Sequence, residues 1–179
     1  MKATPAAIPD ALILEPKVYE DSRGFFLESY NQRIMAELGI LAAFVQDNHS
    51  HSRRGTLRGL HYQLKPFDQA KLIRVVTGRI YDVAVDLRRN CGTFGKWYGI
   101  ELDSESKTQF FIPKGFAHGF SVLSEIAIIQ YKCDNTYNPQ FERGIALDDP
   151  ELKIDWKLNG VTPVISDKDT NHPLFRDAD

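Results

Sequence analysis

The segment Arg79-Ile80-Tyr81-Asp82-Val83-Ala84-Val85-Asp86-Leu87 alternates in polarity with a period of two residues, and this pattern decides the fold class. Successive side chains of a strand point to opposite faces. One face is therefore apolar and carries Tyr81, Val83, Val85 and Leu87, while the other is mixed and carries Ile80, Asp82, Ala84 and Asp86. Such a strand is typical of a barrel wall, with a core on one side and a polar cavity or solvent on the other.

Short segments of the same kind surround this strand and are separated by turn residues. We predict strands at Leu72–Val76, Trp97–Leu102, Gln109–Ile112, Gly119–Leu123 and Ala127–Cys133. Many short, regularly spaced strands indicate an all-β barrel or sandwich rather than alternating strands and helices.

The N-terminal part of the chain combines strands with one helix. Ala11–Tyr19 is predicted as a first strand, and Pro16 within it favours a position at a sheet edge. Phe25–Tyr30 is predicted as a short strand, and residues 31–40 have the apolar spacing of a helix. Near the other end, Trp156 is expected to anchor a terminal segment.

Composition sets limits on the class of protein. The chain has 179 residues, which we interpret as a single domain over residues 1–179, and its net charge of −2 argues against a general nucleic-acid binder. Its two cysteines form no C-x-x-C motif, so a cytoplasmic location without disulfides is expected. We find no secretory signal pattern and no apolar run of membrane-spanning length, so no membrane association is expected.

Four of the five histidines suggest a site. His49 and His51 lie two apart, a spacing that fits either a metal site with His118 or simply two polar residues at a strand end. His61 lies in the polar segment Gly59-Leu60-His61-Tyr62-Gln63, which is costly to bury without partners and so is expected to line a site. His172, near the C-terminus, is expected to be a bystander.

A turn and a histidine at residues 113–118 carry the first resemblance to a known superfamily. Pro113-Lys114-Gly115-Phe116-Ala117-His118 resembles the second conserved motif of cupins, which are small jelly-roll barrels. The first cupin motif corresponds to Gly59, His61, Gln63, Lys71 and Gly78. Because Gln63 and Lys71 stand near positions where metal cupins have a histidine and a glutamate, we expect this barrel to hold no metal.

Further motifs narrow the resemblance to one family. They are Asp21-Ser22-Arg23-Gly24-Phe25-Phe26, Phe44-Val45-Gln46-Asp47-Asn48-His49-Ser50, Leu57-Arg58-Gly59-Leu60-His61-Tyr62-Gln63, Tyr131-Lys132-Cys133 and Tyr137-Asn138-Pro139. Together, from about Pro16 to Asp169, the chain resembles the dTDP-4-dehydrorhamnose 3,5-epimerases. The resemblance implies an all-β jelly-roll β-barrel with a few short peripheral helices, a homodimer, no cofactor, and a dTDP-linked 4-keto-6-deoxy sugar as substrate.

Epimerisation next to a ketone needs a base, an acid on the opposite face and a group that stabilises the enolate. Histidine titrates near neutrality, which makes His61 a suitable base, and the resemblance implies that Asp169 forms a dyad with it and that Tyr131 is the acid. Lys71 is the candidate for enolate stabilisation, and we infer Asp82 as its partner. A core tyrosine and a lysine at a barrel rim are the structural alternatives for Tyr131 and Lys71.

The resemblance also implies a set of substrate-binding residues. They are Arg23, Phe25, Glu28, Gln46, Asp47, Asn48, Arg58, Lys71, His118, Tyr137, Glu142 and Lys168. Phe25, Phe26 and Tyr137 could stack on the thymine, although such phenylalanines more often belong to the core. Arg58 and His61 lie three apart, so a regular strand would separate them. Either Gly59 bends the chain, or one of the two binds from a loop or across a subunit boundary.

Four other functions stay open from the sequence, and one of them is a metal cupin that uses His49, His51 and His118. An epimerase acting on a single carbon and a 3,4-ketoisomerase would use the same barrel and a related dTDP-4-keto-6-deoxy sugar. A non-catalytic sugar-binding cupin would bind such a sugar without proton exchange.

Overall fold

Two antiparallel sheets make up most of the computed structural model, which describes residues 1–179. The strands are β1 (Lys2–Pro5), β2 (Leu12–Glu15), β3 (Val18–Asp21), β4 (Gly24–Leu27), β5 (Gln46–Arg53), β6 (Leu57–Gln63), β7 (Lys71–Thr77), β8 (Arg79–Asp86), β9 (Trp97–Asp103), β10 (Gln109–Ile112), β11 (Phe116–Val122), β12 (Ile126–Cys133) and β13 (Glu142–Gly144). The first sheet has the order β1-β2-β10-β7-β12-β5 and the second has the order β13-β6-β11-β8-β9. The predicted all-β jelly-roll is confirmed.

Strand β8 is buried on both faces. Ile80 and Ala84 belong to the core between the two sheets, and Asp82 on the same face is fully buried. Tyr81 and Val83 on the other face pack against the C-terminal segment in a second core. The mixed face therefore lines the barrel interior, so of the two predicted alternatives, a polar cavity or solvent, the solvent-facing one is wrong.

Other parts of the chain cover part of the outer face of each sheet. Trp156 anchors the C-terminal segment against the second sheet, and its Nε1–H donates to the Leu147 carbonyl at 2.7 Å, which confirms its predicted role. Met35 and Ile40 cover the first sheet at Leu72. These contacts remove apolar surface from water and fix the sheets around the interior.

The predicted helix is present but shorter than residues 31–40. Helix α1 (Gln32–Glu37) begins after Asn31, whose side chain accepts from the backbone N–H groups of Arg33 and Ile34. Gly39 has a φ of +86°, and this left-handed conformation ends the helix. Two short 3-10 helices follow at Asp169–Asn171 and Phe175–Asp177. No helix of the protein has the length and apolar character that a membrane crossing requires.

The prediction for residues 11–19 is partly wrong. Pro16 does interrupt the segment, which forms β2 and β3 rather than one strand. However, β2 is not at an edge, because β1 and β10 pair with its two sides. The edge position belongs to β1, a strand that was not predicted.

Strands β3 and β4 form a hairpin that pairs with no other strand. Its aromatic side chains are exposed, with 58% of Phe25 and 70% of Phe26 accessible. The interpretation of these phenylalanines as core residues is therefore wrong for this chain. An isolated two-stranded hairpin is marginally stable in water. Within the chain, Lys107 Nζ lies 4.1 Å from the centroid of the Phe25 ring, yet that ring stays exposed.

Candidate active site

A bulge in β6 brings Arg58 and His61 to the same face. His61 pairs with His118, and Arg58 pairs with Phe120, so the two residues between them on β6, Gly59 and Leu60, oppose the single residue Gly119 of β11. Cross-strand partners share a face, which places both β6 side chains on the inner side of the sheet. Gly59 has a φ of +129°, and a Cβ there would lie 2.5 Å from the Cα of Gly119. Only glycine fits, so the predicted bend is confirmed.

His61 and Asp169 form the predicted pair although 108 positions separate them. His61 Nε2 lies 2.7 Å from Asp169 Oδ1, and the backbone N–H of Gly59 donates to Asp169 Oδ2 at 3.4 Å. Burial alone would raise the pKa of Asp169, but the hydrogen bond and charge of His61 outweigh it and hold that pKa below its usual value. The carboxylate therefore stays ionised and orients the His61 ring, whose side chain is 30% exposed.

Lys71 is a buried cation without a close counter-ion. Its Nζ lies 3.5 Å from the His61 carbonyl oxygen and has no carboxylate oxygen within 4.0 Å. Burial lowers the pKa of Lys71, and the neighbouring Cys133, Asp82 and Glu142 oppose that shift from a longer distance. The inferred direct partnership of Lys71 with Asp82 is therefore wrong.

Asp82 instead pairs with His118 inside the barrel. The Nε2 atom of His118 lies 3.0 Å and 2.9 Å from the two carboxylate oxygens. Burial lowers the pKa of His118, although Asp82 opposes that shift. Asp82 pairs with His118 rather than Lys71 because of the β8–β11 register. Asp82 lies opposite Phe120, and His118, two residues before Phe120, points to the same face of the sheet.

Tyr131 extends from β12 into the polar end of the barrel interior. It shares its strand face with Ala127, Ile129 and Cys133, as predicted, and these three are buried. Burial, and next the Cys133 thiol, raise the pKa of Tyr131, while Arg58 opposes the shift. The hydroxyl therefore remains protonated at neutral pH, as a proton donor requires.

A hydrogen-bonded rim surrounds the opening. The Tyr137 hydroxyl donates to Glu142 Oε2 at 2.5 Å, and Lys168 Nζ lies 2.5 Å from the same oxygen. Burial would raise the pKa of Glu142, but the contacts with Lys168 and Tyr137 lower it overall. Gln46 accepts from the Tyr137 backbone N–H at 2.8 Å and donates to Asn48 at 3.2 Å. These contacts tie both sheets together around the opening.

The candidate base, acid and lysine open into one cavity of about 230 Å³. Its lining consists of Gln46, Asn48, His61, Tyr62, Gln63, Gln69, Lys71, Tyr131, Tyr137 and Glu142. The interior of the barrel is thus divided into an apolar half and a polar half, and the chemistry-bearing residues are grouped in the polar half.

Several predicted binding residues do not line this cavity. Arg23, Phe25 and Glu28 lie on or next to the β3–β4 hairpin, where Arg23 pairs with Asp21 of the same hairpin. Asp47 faces the outside of the first sheet and pairs with Lys132 at 2.8 Å. The other three, Arg58, His118 and Lys168, lie beside the lining residues: Arg58 contacts Ser52 at 3.2 Å, His118 is buried, and Lys168 pairs with Glu142.

The prediction that His172 is a bystander is wrong. Its ring meets the His61 ring edge-on, with centroids 5.5 Å apart, and its Nε2 lies 3.5 Å from Asp169 Oδ1. The ligand atoms of His61, Asp169 and His172 lie within 4.8 Å of one another, so these three could hold a metal ion. His49 and His51 belong to no such group, and both are exposed on β5.

Comparisons with known proteins agree on one family. The model of the family described as dTDP-4-dehydrorhamnose 3,5-epimerase matches residues 5–177. A curated relative of that name from Pseudomonas aeruginosa is 55% identical over 180 residues, covering 100% of this chain and 98% of the relative.

Solved structures extend the comparison. The dTDP-6-deoxy-D-glucose-3,5-epimerase of Legionella pneumophila, in complex with dTDP-4-keto-L-rhamnose, is 48% identical with a TM-score of 0.96, over 99% of this chain and 94% of that chain. The 3'-monoepimerase ChmJ of Streptomyces bikiniensis, in complex with dTDP-quinovose, is 34% identical with a TM-score of 0.88, over 95% and 86%.

Proposed function

Because the chain belongs to the dTDP-4-dehydrorhamnose 3,5-epimerase family and is an isomerase, we propose that it epimerises C3 and C5 of dTDP-4-dehydro-6-deoxy-D-glucose, giving dTDP-4-dehydro-L-rhamnose. The observation that carries this proposal is the convergence of His61, Tyr131 and an unpaired Lys71 on one cavity. A sugar-binding protein without catalysis has no use for this combination of base, acid and buried cation.

In the proposed mechanism, His61 removes the proton from the carbon next to the C4 ketone. The electron pair of the broken C–H bond moves to the C4 oxygen and forms an enolate. Tyr131 then gives its hydroxyl proton to the same carbon from the opposite face, and both side chains exchange protons with solvent. Asp169 stabilises the imidazolium that forms on His61, since its carboxylate stays ionised.

Lys71 suits the developing enolate oxygen. A buried ammonium group without a counter-ion is costly, so a negative charge arriving within hydrogen-bond distance recovers electrostatic stabilisation that the resting site lacks. The stabilisation is greatest in the enolate and small in the ketone, which is the difference that accelerates a reaction.

We assign the rim to substrate binding. Gln46, Asn48, Tyr137 and Glu142 line the opening, and Lys168 neutralises Glu142 there. Arg58 and His118 adjoin the cavity from β6 and β11. A cavity of about 230 Å³ accommodates the sugar ring, so the diphosphate and thymidine would extend across the rim.

The test is incubation of dTDP-4-keto-6-deoxy-D-glucose with the protein in heavy water, followed by NMR. We expect deuterium at both C3 and C5. Label at C3 alone would instead favour the second candidate function, a monoepimerase like ChmJ, whose similarity to this chain motivates it. Absence of label at both carbons would contradict the epimerase proposal.

We further propose a homodimer in which the β3–β4 hairpin of each protomer reaches the other protomer's site. The hairpin pairs with no other strand of its own chain, exposes Phe25 and Phe26, and carries Arg23. Packing on a second copy would bury these aromatic side chains and bring Arg23, Phe25 and Glu28 to a cavity that lacks them.

Mixing two inactive variants tests this arrangement. Arg23→Ala and His61→Ala homodimers should each be nearly inactive. A heterodimer would contain one intact site, because His61 comes from one chain and Arg23 from the other. Random reassociation should therefore restore roughly a quarter of the wild-type activity. No recovery, in a mixture shown to contain heterodimers, would place both residues in the same chain's site.

We also propose a cytoplasmic location. Cys91 and Cys133 are both free thiols, and Cys133 adjoins Lys71 in the polar half of the barrel. A reducing compartment keeps both in that state.

A further inference from the structure

His172 occupies a defined position behind the His61–Asp169 dyad. It follows the 3-10 helix Asp169–Asn171, and its side chain is only 11% exposed. Its ring stands at 83° to the His61 ring. Burial, and next the neighbouring His61, lower the pKa of His172, so it is neutral at pH 7 with one ring nitrogen free to donate.

The Nε2 atom of His172 is buried and has no hydrogen-bond partner. It lies 3.5 Å from Asp169 Oδ1, the same oxygen that lies 2.7 Å from His61 Nε2. An unpartnered buried nitrogen is unfavourable, and a movement of a few tenths of an ångström would bring it within hydrogen-bond distance of that oxygen.

Gly144 provides the space for this ring. It pairs with His61 in the β13–β6 ladder, and a Cβ at Gly144 would lie 2.4 Å from His172 Nε2 and Cε1. The φ of Gly144 is outside the left-handed region, so the backbone does not require glycine there. The absence of a side chain at residue 144 is explained by the His172 ring.

We propose that His172 is a positioning residue, which donates from Nε2 to Asp169 Oδ1 and thereby holds the dyad in its productive geometry during proton abstraction. The proposal rests on the epimerase function proposed above. Once His61 has taken the substrate proton, the hydrogen bond from His172 to Oδ1 makes Asp169 a weaker base than His61. The proton therefore stays on His61. Outer partners of this kind typically affect activity by about 10–100-fold.

Three substitutions separate hydrogen bonding from packing. His172→Ala removes both, and we expect kcat to fall at least about tenfold with KM changed less than about twofold. His172→Gln can place an amide nitrogen near the position of Nε2 and should recover most of the activity. His172→Phe fills the space without a donor and should remain low. Arg176→Ala, an exposed change in the same terminal segment, is the control.

Recovery by Phe but not by Gln would overturn the proposal, because it would show that His172 acts only by filling space. Unchanged kcat in all three variants would also overturn it. These results are distinguishable from failure of the proposed function, because the wild-type protein would still incorporate deuterium at C3 and C5.

A double-mutant cycle gives a second test that does not depend on the His172 variants alone. Gly144→Ala should displace the ring and lower kcat about as much as His172→Ala. The double variant should be no worse than His172→Ala, since the displaced ring is then gone. If the two effects multiply instead, Gly144 and His172 act independently and the proposal fails.

Discussion

The barrel holds two histidine–aspartate pairs with opposite access to the cavity. In the pair of His61 with Asp169, the histidine side chain is 30% exposed and lines the cavity. In the pair of His118 with Asp82, the side chains are 8% and 0% exposed. The open pair joins residues 108 positions apart, whereas the closed pair joins neighbouring strands.

The same two residue types therefore have different roles in the two pairs. A base must exchange its proton with substrate and solvent, which only the open pair can do. The closed pair satisfies two buried polar groups at the inner face of the second sheet, and its carboxylate lies in the field of Lys71. Access to the cavity, rather than the hydrogen bond itself, distinguishes the proposed base from its structural counterpart.

The largest effect should come from breaking the open pair. Asp169→Asn keeps the shape of the side chain but removes the charge that stabilises protonated His61, so kcat should fall by about 10²–10⁴-fold. Steady-state kinetics measure the loss, and Asp167→Asn, an exposed change two residues away, should stay within about twofold. A kcat for Asp169→Asn near that of the wild type would show that the pair is not catalytic.

Removal of the proposed acid should separate exchange from inversion. Tyr131→Phe keeps the ring, so some deuterium should still enter from the His61 side, while inverted product should form about 10²-fold more slowly. NMR reports both quantities in one sample. The half-buried Tyr98 lies outside the cavity, and Tyr98→Phe serves as control. Parallel losses of exchange and inversion in Tyr131→Phe would contradict its assignment as the acid.

The closed pair should matter more for stability. Asp82→Ala leaves a buried histidine nitrogen unpaired and removes a buried carboxylate whose charge favours protonated Lys71, so the free energy of unfolding should fall by about 3 kcal/mol. Denaturant unfolding at fixed protein concentration measures this. Asp155→Ala, which breaks an exposed pair with Lys157, should cost less than about 1 kcal/mol. An equal loss of unfolding free energy in Asp82→Ala and Asp155→Ala would show that the closed pair stabilises the fold no more than an exposed pair does.

The smallest effect is the acid sensitivity of the open pair. The pKa of Asp169 is below its ordinary value of 3.8 when folded, so the stabilisation it provides is complete above that value and is lost as pH falls through the lower folded pKa. The stability difference between wild type and Asp169→Asn should therefore stay constant from about pH 5 to pH 4 and shrink below it. A stability difference that grows as the pH falls would contradict a lowered pKa of Asp169 in the folded protein.

Much of the fold follows from local patterns. The alternation of Arg79–Leu87 predicts β8, and Pro16 marks the break between β2 and β3. The order of strands within each sheet does not follow from such patterns, which is why β2 was wrongly placed at an edge. Burial of both faces of β8 depends on the C-terminal segment around Trp156, whose docking no periodicity indicates.

The site was predictable where it depends on spacing within strands. The bend at Gly59 follows from the need to bring Arg58 and His61 to one face, and the structure has it. The roles of Asp82 and His172 were missed for another reason. Each depends on a contact between segments distant in sequence, and nothing next to His172 in the chain indicates that it packs on His61.

The most direct test of the comparison is deuterium exchange by His61→Ala in heavy water. The variant retains the closed pair and removes only the open histidine. We predict no label at C3 or C5 above a protein-free sample, with a folded protein by circular dichroism. Label at either carbon at the wild-type rate would show that His61 is not the base, and would contradict the assignment of catalysis to the open pair.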